Sequence, residues 1–427
     1  MRTIRQQHLP AAAGTARCRV GVVGLGYAGL PQAVAFASAG HPVVGVEVDE
    51  AVVHALRAGR SPVDTVTDEQ VARLGGLFTA TVESSALAGC SAVLVCVPTP
   101  LDGAGVPDLG PLCTATASVA ETLRPGQLVV IESTVYPGVT QDVVRPLLER
   151  SALRAGEDFH LAFAPERVDP GNGLFGPANT PRVIGGLTPV CALRAEALYR
   201  RVTPEIHIAK GLLEAEAAKL LENTYRQVNL ALVHEFAAFC TSRGIDVADT
   251  IDAAATKPFG FQPFHPGAGV GGHCIPVDPL YLAHAGRQSG APMRLTELAQ
   301  QINDGRPGQV VDQCGQLLAS TGRQLRGARV LVLGLTYKPG VADVRNTPAA
   351  QLIRVLGRAG AVVEVHDPLV PGINVDGSWW ASVADLEDSV HACDLVLLAQ
   401  RHVQYRPEVL RRAPLLYVAD YRGPGLG

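Results

Sequence analysis

The sequence predicts an α/β protein in which two units of alternating strands and helices are joined by a mainly helical segment. Short runs of β-branched residues alternate with alanine-rich stretches through the first half of the chain, and this alternation returns after residue 328. Between them, residues 212–243 contain few helix breakers. We expect a flexible tail over residues 1–17, an α/β domain over 18–205, a central helical domain over 206–318 and a second α/β domain over 319–427.

Composition excludes several classes of protein. The chain has 427 residues, 47% of them hydrophobic, which is ample for buried cores. A net charge of -4 gives no electrostatic reason to bind nucleic acid or an anionic membrane. No apolar run approaches the ~18 residues that span a bilayer, and we find no signal peptide. The 9 cysteines lack the spacing of disulfide or zinc sites, so we expect a cytoplasmic protein without a metal.

The first strand leads into a glycine-rich turn. A β-branched run over residues 19–23 precedes Gly24-Leu25-Gly26-Tyr27-Ala28-Gly29, and an alanine-rich helix follows. In such a turn the first glycine permits the tight bend, the second lets a pyrophosphate approach the backbone, and the third allows close packing of helix on strand. The helix N-terminus favours the anion.

A second strand over residues 43–46 ends at Glu47, about twenty residues beyond the glycines. A carboxylate there accepts hydrogen bonds from both ribose hydroxyls and repels a 2′-phosphate, so NAD is favoured over NADP. A glycine motif alone is often only a glycine-rich loop. The flanking strands and Glu47 make a dinucleotide site the preferred interpretation.

Further strands are predicted over residues 91–97, 127–131 and 160–163. Their carboxyl ends carry Thr99, Ser133, Thr134 and Glu166. In a doubly wound sheet the crevice beyond these ends is the ligand site, so we expect these side chains to line it. The alternative is that the hydroxyls cap helices.

The long helical segment carries Lys219 and Asn223 four residues apart and therefore on one face, with Glu216 and Glu222 nearby. Without further context such charges describe a solvated face. Strands at 328–338, 361–367 and 394–398 form the last unit, whose glycine motif is incomplete. Its segment from Lys338 to Asn346 carries cations, which suits a nucleotide substrate better than a second dinucleotide.

One cysteine stands in a glycine-rich turn with a carboxylate shortly after it. In Gly267–Pro279, Cys274 follows four glycines among the seven preceding residues and precedes Asp278. Glycines allow close approach of backbone to a ligand, while the two prolines stiffen the exit. This pattern indicates a nucleophile. The alternative is that Cys274, like most cysteines of a reduced protein, is a small core hydrophobe.

In this order the motifs resemble the UDP-glucose/GDP-mannose dehydrogenase family of nucleotide-sugar 6-dehydrogenases. The resemblance covers nearly the whole chain after residue 17 and rests on Gly24–Pro31, Glu132–Val135, Pro165–Arg167, Ala217–Asn223, Gly271–Cys274 and Gly334–Lys338, with Asp343 and Arg345. It implies two Rossmann-like domains joined by a central helical region that also forms a homodimer.

The resemblance also implies a four-electron, NAD-dependent oxidation in which Cys274 holds the substrate as a thiohemiacetal and then a thioester. Lys219 and Asn223 are expected to stabilise the oxyanion, Asp278 and Thr134 to hold a water, and Glu166 to act as general acid/base, although which carboxylate takes the proton stays open. The expected cofactor residues are Gly24, Gly26, Tyr27, Ala28, Gly29, Glu47, Thr99, Ser133, Thr134 and Arg345. The expected substrate residues are Glu166, Arg167, Val168, Lys219, Asn223, Gly271 and Lys338.

The residues around the cysteine resemble one branch of the family. His273 and Val277 stand where enzymes acting on UDP-glucose usually carry serine and lysine, and the preceding Lys257–Phe261 is similar to the branch that oxidises UDP-N-acetylhexosamines. Pro258 stands near the place of an arginine that many UDP-glucose enzymes bring across the dimer interface. UDP-N-acetylglucosamine or UDP-N-acetylmannosamine is the expected substrate, and UDP-glucose or another NDP-glucose is the alternative.

Two other classes share part of these features. A single-step hydroxyacid dehydrogenase has the same first domain but needs no cysteine. A non-catalytic binder of sugar nucleotides needs none of Cys274, Lys219 and Asp278.

Overall fold

The structure is a computed structural model that describes residues 17–167, 169, 174, 176 and 179–419. In this part of the chain the strands are β1 (Val20–Val23), β2 (Val43–Val46), β3 (Phe78–Thr81), β4 (Ala92–Val95), β5 (Leu128–Ile131), β6 (His160–Phe163), β7 (Arg182–Gly186), β8 (Ile206–Ile208), β9 (Arg329–Leu333), β10 (Val362–His366), β11 (Gly372–Val375), β12 (Ser378–Ala381), β13 (Leu395–Leu398) and β14 (Leu416–Val418).

The helices are α1 (Gly29–Ser38), α2 (Glu50–Arg57), α3 (Asp68–Leu74), α4 (Gly110–Thr122), α5 (Arg145–Glu149), α6 (Pro189–Tyr199), α7 (Leu212–Arg243), α8 (Val247–Ala255), α9 (Asp278–Gln288), α10 (Arg294–Ala319), α11 (Pro348–Arg358), α12 (Leu386–Ala392) and α13 (Pro407–Leu410). Single helical turns lie at Gly75–Leu77, Ser84–Gly89 and Thr140–Val144. None of the described helices combines the length and apolarity needed to cross a bilayer.

Contacts divide the described chain into two compact units. The first comprises residues up to 99 and from 109 to 216, and the second comprises 100–108 and the residues from 217 onward. The division therefore falls inside α7 rather than at residue 206, and the three-domain boundaries remain a prediction. The tail expected over residues 1–17 lies outside the described residues except for Arg17.

The first unit contains an eight-stranded sheet in the order β3-β2-β1-β4-β5-β6-β7-β8. The first six strands are parallel, whereas β7 is antiparallel to β6. Strands β1, β4 and β5 are buried along their whole length, as expected for parallel strands with helices on both faces. The strand order reverses between β1 and β4, and the crevice of a doubly wound sheet lies at that point.

The second unit contains a parallel sheet in the order β10-β9-β13-β14 and the hairpin β11-β12. The long helix α7 runs over 32 residues, in the bounds predicted from the lack of breakers. The predicted α/β class and the predicted strands are confirmed, with ends that differ by one or two residues, except that β9 ends at Leu333, five residues before the end of the predicted 328–338 run.

Strands β7 and β8 were not predicted from the sequence. Strand β7 begins with an arginine and ends in two glycines, and β8 has only three residues. Neither has the length or composition by which a strand is usually recognised.

Candidate active site

The glycine turn after β1 has the geometry that its motif predicts. Gly24 has φ +88°, and a Cβ there would lie 2.7 Å from the carbonyl oxygen of Cys96. A Cβ on Gly29 would lie 1.8 Å from the carbonyl oxygen of Gly24, so only glycine lets α1 pack here. A Cβ on Gly26 would meet nothing within 4 Å. Packing explains the outer two glycines, while the middle one leaves open space for a ligand.

The N-terminus of α1 suits an anion. Its N-cap residue is Ala28, whose side chain cannot accept a hydrogen bond, and the first turn contains no acidic residue. The N–H groups of such a turn are available to a phosphate, and the helix dipole favours negative charge. Together with the space at Gly26, this fits the pyrophosphate of NAD.

Glu47 connects the end of β2 to the glycine turn. Its Oε2 accepts a hydrogen bond from the N–H of Leu25 at 2.8 Å, and its Oε1 accepts from the N–H of Val48 at 2.8 Å. The side chain is half-buried. The carboxylate is therefore fixed in orientation beside the turn, where a ribose hydroxyl could donate to its remaining lone pairs.

The hydroxyls at the strand ends do not cap the helices that follow them. The N-cap residues of α4 and α5 are Leu109 and Val144. Ser133 is buried and donates to the carbonyl oxygen of Val97 at 2.7 Å. Thr99 and Thr134 are half-buried at the carboxyl edge of the sheet. The capping alternative is wrong for these helices.

Glu166 lies in a charged network that the sequence did not indicate. Its Oε2 accepts hydrogen bonds from Gln32 Nε2 at 2.5 Å and from Arg182 Nη2 at 3.1 Å. Arg182 also forms an ion pair with Glu132 at 3.1 Å. Arg182 was missed because it opens a strand that was itself missed. Arg167 Nη1 donates to the carbonyl oxygen of Pro181, and Val168 lies outside the described residues.

Two of the charged residues predicted on one face of α7, Glu216 and Lys219, are buried. Glu216 has no exposed surface and accepts hydrogen bonds from the N–H groups of Gly138 at 2.7 Å and Thr140 at 2.9 Å. Burial raises the pKa of the Glu216 carboxyl, against the effect of these hydrogen bonds. Lys219, one turn further on, is only 8% exposed. The alternative of a solvated helix face is wrong for Glu216 and Lys219, whereas Glu222 is exposed.

Lys219, Asn223 and Asp278 come together in the second unit. Asn223 Nδ2 donates to Asp278 Oδ2 at 2.5 Å, and Asp278 is 4% exposed. Burial raises the pKa of Asp278 to about 6, although the charge of Lys219 and the hydrogen bond from Asn223 oppose the rise. A buried carboxylate whose pKa lies near neutrality is typical of functional sites.

Cys274 is the exposed member of the nine cysteines, of which six are buried. Its carbonyl oxygen accepts a hydrogen bond from the N–H of Asp278 at 2.8 Å, so the turn carrying it continues into α9. A thiolate at a helix N-terminus is favoured by the helix dipole. The core-hydrophobe alternative is wrong for Cys274 and holds for the six buried cysteines.

The glycines before Cys274 pack against the loop that follows β9. A Cβ on Gly271 would lie 2.8 Å from Tyr337, and Gly272 has φ +87° with its Cβ position 2.9 Å from the same ring. The N–H of Gly272 donates to the carbonyl oxygen of Arg345 at 3.3 Å. Gly271 therefore has a packing role, which is separate from the substrate contact expected for it.

This loop carries Lys338 and Arg345. Arg345 forms an ion pair with the buried Asp343, with Nη2 2.5 Å from Oδ2. A phosphate bound at Arg345 would share the guanidinium group with this carboxylate. Lys338 is half-buried.

The turn after β9 in the second unit resembles the glycine turn after β1, but its acidic residue is enclosed by the protein. Gly334 has φ +90°, and the N–H of Leu335 donates to Asp367 Oδ2 at 2.6 Å, as that of Leu25 does to Glu47. Asp367, however, is buried and also contacts His402 Nε2 at 3.1 Å. Burial tends to raise the pKa of Asp367, but the hydrogen bonds from His402 and from backbone N–H groups lower it. This carboxylate has no room for a ribose.

In the described ranges, no group of three or more histidine, cysteine, aspartate or glutamate side chains could hold a metal ion. The chemistry of these sites is that of a thiol, an ammonium group, amides and carboxylates.

Comparison with known proteins identifies the family. Models of the UDP-glucose/GDP-mannose dehydrogenase family match its NAD binding domain over residues 18–203, its central domain over 213–305 and its UDP binding domain over 331–422. The chain is 37% identical over 393 residues to a UDP-N-acetyl-D-glucosamine 6-dehydrogenase of Pseudomonas aeruginosa, and the match covers 91% of each chain.

It is also 36% identical over 394 residues to a UDP-N-acetyl-D-mannosamine dehydrogenase of Pyrococcus horikoshii, covering 91% of this chain and 90% of the relative. A solved structure of UDP-D-ManNAc dehydrogenase from that organism superposes with a TM-score of 0.85 at 33% identity, covering 94% of this chain and 95% of the other. The chain therefore belongs to the UDP-glucose/GDP-mannose dehydrogenase family and is an NAD-dependent nucleotide-sugar 6-dehydrogenase.

Proposed function

We propose that this chain oxidises the C6 hydroxymethyl group of a UDP-N-acetylhexosamine, UDP-N-acetylglucosamine or UDP-N-acetylmannosamine, to the carboxylate. The observation that carries the proposal is the exposed thiol of Cys274 on the turn leading into α9, in the same unit as the Lys219–Asn223–Asp278 group. His273 and Val277 beside it favour this substrate class, as do the names of the two relatives.

When bound, each NAD accepts one hydride from the sugar carbon. An alcohol that becomes an acid loses two hydrides, so two NAD molecules are used per sugar. The first unit supplies the groups that bind the cofactor. The space at Gly26 and the N-terminus of α1 suit the pyrophosphate, and Glu47 suits the ribose hydroxyls. Arg345, Tyr27 and Thr99 complete the proposed cofactor contacts.

Cys274 is proposed to keep the aldehyde from escaping. Its thiolate adds to the C6 carbonyl carbon, forming a C–S bond and moving an electron pair onto oxygen. Departure of the second hydride from that carbon gives a thioester. Water then adds, the C–S bond breaks, and the thiol and a carboxylate are released.

Lys219 and Asn223 are proposed to stabilise the negative oxygen that develops at each addition. Both side chains are held before the reaction, because Lys219 is 8% exposed and Asn223 is bonded to Asp278 at 2.5 Å. An amide has two N–H groups and Asp278 takes one, which leaves the other for the oxyanion. Fixed donors in a dry site act strongly on developing charge.

Asp278 and Thr134 are proposed to hold the attacking water, and Glu166 to act as general acid/base. Arg167, Val168, Gly271 and Lys338 are proposed to contact the substrate, with Lys338 at the phosphates or the sugar.

A substrate screen tests the proposal. NAD reduction is measured with UDP-N-acetylglucosamine, UDP-N-acetylmannosamine, UDP-glucose, TDP-glucose and GDP-mannose, and the sugar product is identified. We expect an N-acetylated UDP-sugar to give the highest kcat/KM and two NADH per sugar. A higher kcat/KM for an NDP-glucose would show that the alternative substrate class is the correct one. One NADH per molecule, with free aldehyde or with a hydroxyacid as substrate, would move it to the single-step class.

We also propose that the chain forms a homodimer through α7. Leu221, Tyr225, Leu232 and Phe239 are each about half exposed or more, at 65, 49, 60 and 54%, and their spacing places them on one helix face. A continuous apolar stripe of this kind marks an interaction surface. Sedimentation of wild-type protein and of Leu232→Glu tests it, with a monomer expected for the variant. None of the nine cysteines, all of which lie in the described residues, forms a disulfide; this favours a reducing compartment, and we propose the cytoplasm.

A further inference from the structure

A buried arginine joins two carboxylates at the edge of the first sheet. The antiparallel register pairs Phe163 of β6 with Gly185 of β7. Continued by three residues, this register brings Arg182 opposite Glu166. Arg182 Nη2 lies 3.1 Å from Glu166 Oε2, and Nη1 lies 3.1 Å from Glu132 Oε1. The two carboxylates are thus connected through one guanidinium group.

The inner half of this network is enclosed. The side chain of Glu132 has no exposed surface and that of Arg182 is 6% exposed. The hydroxyl of Tyr199 donates to Glu132 Oε1, and its ring lies beneath the guanidinium at 4.5 Å. The pKa of the neighbouring Cys96 thiol is raised by burial and by Glu132, so this thiol is neutral.

The outer half ends at a carboxylate that reaches solvent. The Glu166 side chain is 21% exposed, whereas the Arg182 side chain is 6% exposed. Three donors hold it: Arg182 Nη2, Gln32 Nε2 at 2.5 Å and the N–H of Arg167 at 2.8 Å. These donors come from β7, from α1 and from the chain after β6. Water could solvate a carboxylate that reaches solvent, so three protein donors are more than the Glu166 side chain needs to be satisfied.

The desolvation of Arg182 gives a reason to look beyond stability. An ion pair buried in the core commonly contributes little net stability, since removing two charges from water offsets their attraction. An arginine that served only to satisfy Glu132 could use both Nη groups on it. Arg182 instead directs its second Nη toward Glu166.

We propose that Arg182 is a positioning residue for Glu166, fixing the orientation of this carboxylate, with Glu132 and the ring of Tyr199 holding Arg182 in turn. The proposal rests on the role proposed above for Glu166 as general acid/base. Arg182 itself touches neither the sugar nor the cofactor in this role.

Kinetics of a short set of variants tests the inference. Arg182→Met removes the contact, Arg182→Lys keeps the charge, and Glu166→Gln identifies which limb of the pH–kcat profile belongs to Glu166. Tyr199→Phe is the matched control, because it disturbs the same buried network but leaves the Arg182–Glu166 contact in place. Since Arg182→Met leaves Glu132 buried without its cation, Glu132→Gln/Arg182→Met is made as well, so that both charges are removed together.

We expect Arg182→Met, alone or in the double variant, to lower kcat by about 10- to 100-fold, part of the range attributed to acid/base catalysis. The KM for NAD should change less than about twofold, because the glycine turn and Glu47 are untouched. The limb of the pH–kcat profile that Glu166→Gln removes should also be displaced in Arg182→Met, because the guanidinium group that contacts Glu166 Oε2 is gone. Arg182→Lys should recover part of both effects, and Tyr199→Phe should lower the melting temperature without moving the limb.

A folded double variant with a wild-type kcat and pH profile would overturn the inference while leaving the proposed function intact. An unchanged limb in Glu166→Gln would also overturn it. A crystal structure of the double variant decides independently of activity. A displaced or alternative Glu166 conformer supports positioning by Arg182, and an unmoved one contradicts it even if no UDP-sugar is oxidised.

Discussion

Asn223 donates a hydrogen bond of 2.5 Å to the buried carboxylate of Asp278 and thereby joins α7 to the turn that carries Cys274. The contact spans residues 55 positions apart in the chain. Because Lys219 lies one turn before Asn223 on α7, the helix brings an ammonium group and an amide to the same carboxylate. The proposed oxyanion donors are thus fixed by one helix and one buried acid.

Lys219→Ala should lower kcat by on the order of 100-fold or more while changing the KM for the nucleotide sugar far less, because its charge acts most when the oxyanion forms. Steady-state kinetics with the best UDP-sugar give the measurement. Lys210→Ala, at an exposed lysine before α7, is the control and should behave like wild type. Equal kcat values for the two variants would show that Lys219 takes no part in catalysis.

Asp278→Asn should stabilise the protein at neutral pH and abolish turnover. The pKa of Asp278 is raised from 3.8 to about 6, so ionisation costs the folded state stability as pH rises through this interval. Above pH 6 the cost amounts to roughly 3 kcal/mol, at 1.36 kcal/mol per unit. Thermal unfolding of both proteins from pH 4 to 8 should show the curves diverging as pH rises. Parallel curves would contradict the shift.

Cys274→Ser should bind cofactor and substrate but release no uronate over multiple turnovers, because serine is a far poorer nucleophile at neutral pH. It should accumulate a stalled covalent ester, which mass spectrometry of the intact protein detects. Cys314→Ser, at a buried cysteine, is the control for the loss of a thiol. Full turnover by Cys274→Ser would contradict the proposed covalent mechanism.

NAD should be preferred over NADP by about 100-fold in kcat/KM, because a 2′-phosphate would stand beside the carboxylate of Glu47. Glu47→Ser should narrow this ratio, mainly by lowering the KM for NADP. Comparable use of both cofactors by the wild type would show that Glu47 does not face the ribose.

The free energy of unfolding should fall as pH drops from about 6.5 to 4, because His234, a buried residue of α7, resists protonation in the folded state. Its Nε2 accepts from the N–H of Gly267 at 3.2 Å, which requires the neutral ring. Burial first, and then the charge of Arg306, lowers its pKa from 6.5 to about 4, so the unfolded chain binds a proton that the fold excludes. The loss is roughly 3 kcal/mol when complete. His234→Gln should flatten this part of the curve, whereas His391→Gln, at an exposed histidine, should not.

The features that follow from local pattern could be predicted from sequence. The bounds of α7 agree because a run without breakers is a local property, and the glycine turn agrees because its three glycines each have a backbone reason. The pairing of Arg182 with Glu166 could not be predicted. It depends on the register of an antiparallel strand that carries no β-branched run of useful length.

Burial of charge was the second feature that sequence alone could not decide. Glu216 and Lys219 look like the solvated face of any helix, and only the contacts of Glu216 with the N–H groups of Gly138 and Thr140 show that this face is enclosed. Cys274 is the converse case, because its thiol is exposed whereas six of the other cysteines are buried.

The closed turn of the second unit bears on how much cofactor the protein holds. The chain contains the strand–glycine–strand–acid element twice, but the acid of the later copy, Asp367, is occupied by His402 and backbone N–H groups. Saturation with NAD should therefore reach one molecule per chain in calorimetric titration. One copy of the element leaves its acid open to a dinucleotide, whereas the polar groups of the other hold the loop before Lys338 in shape.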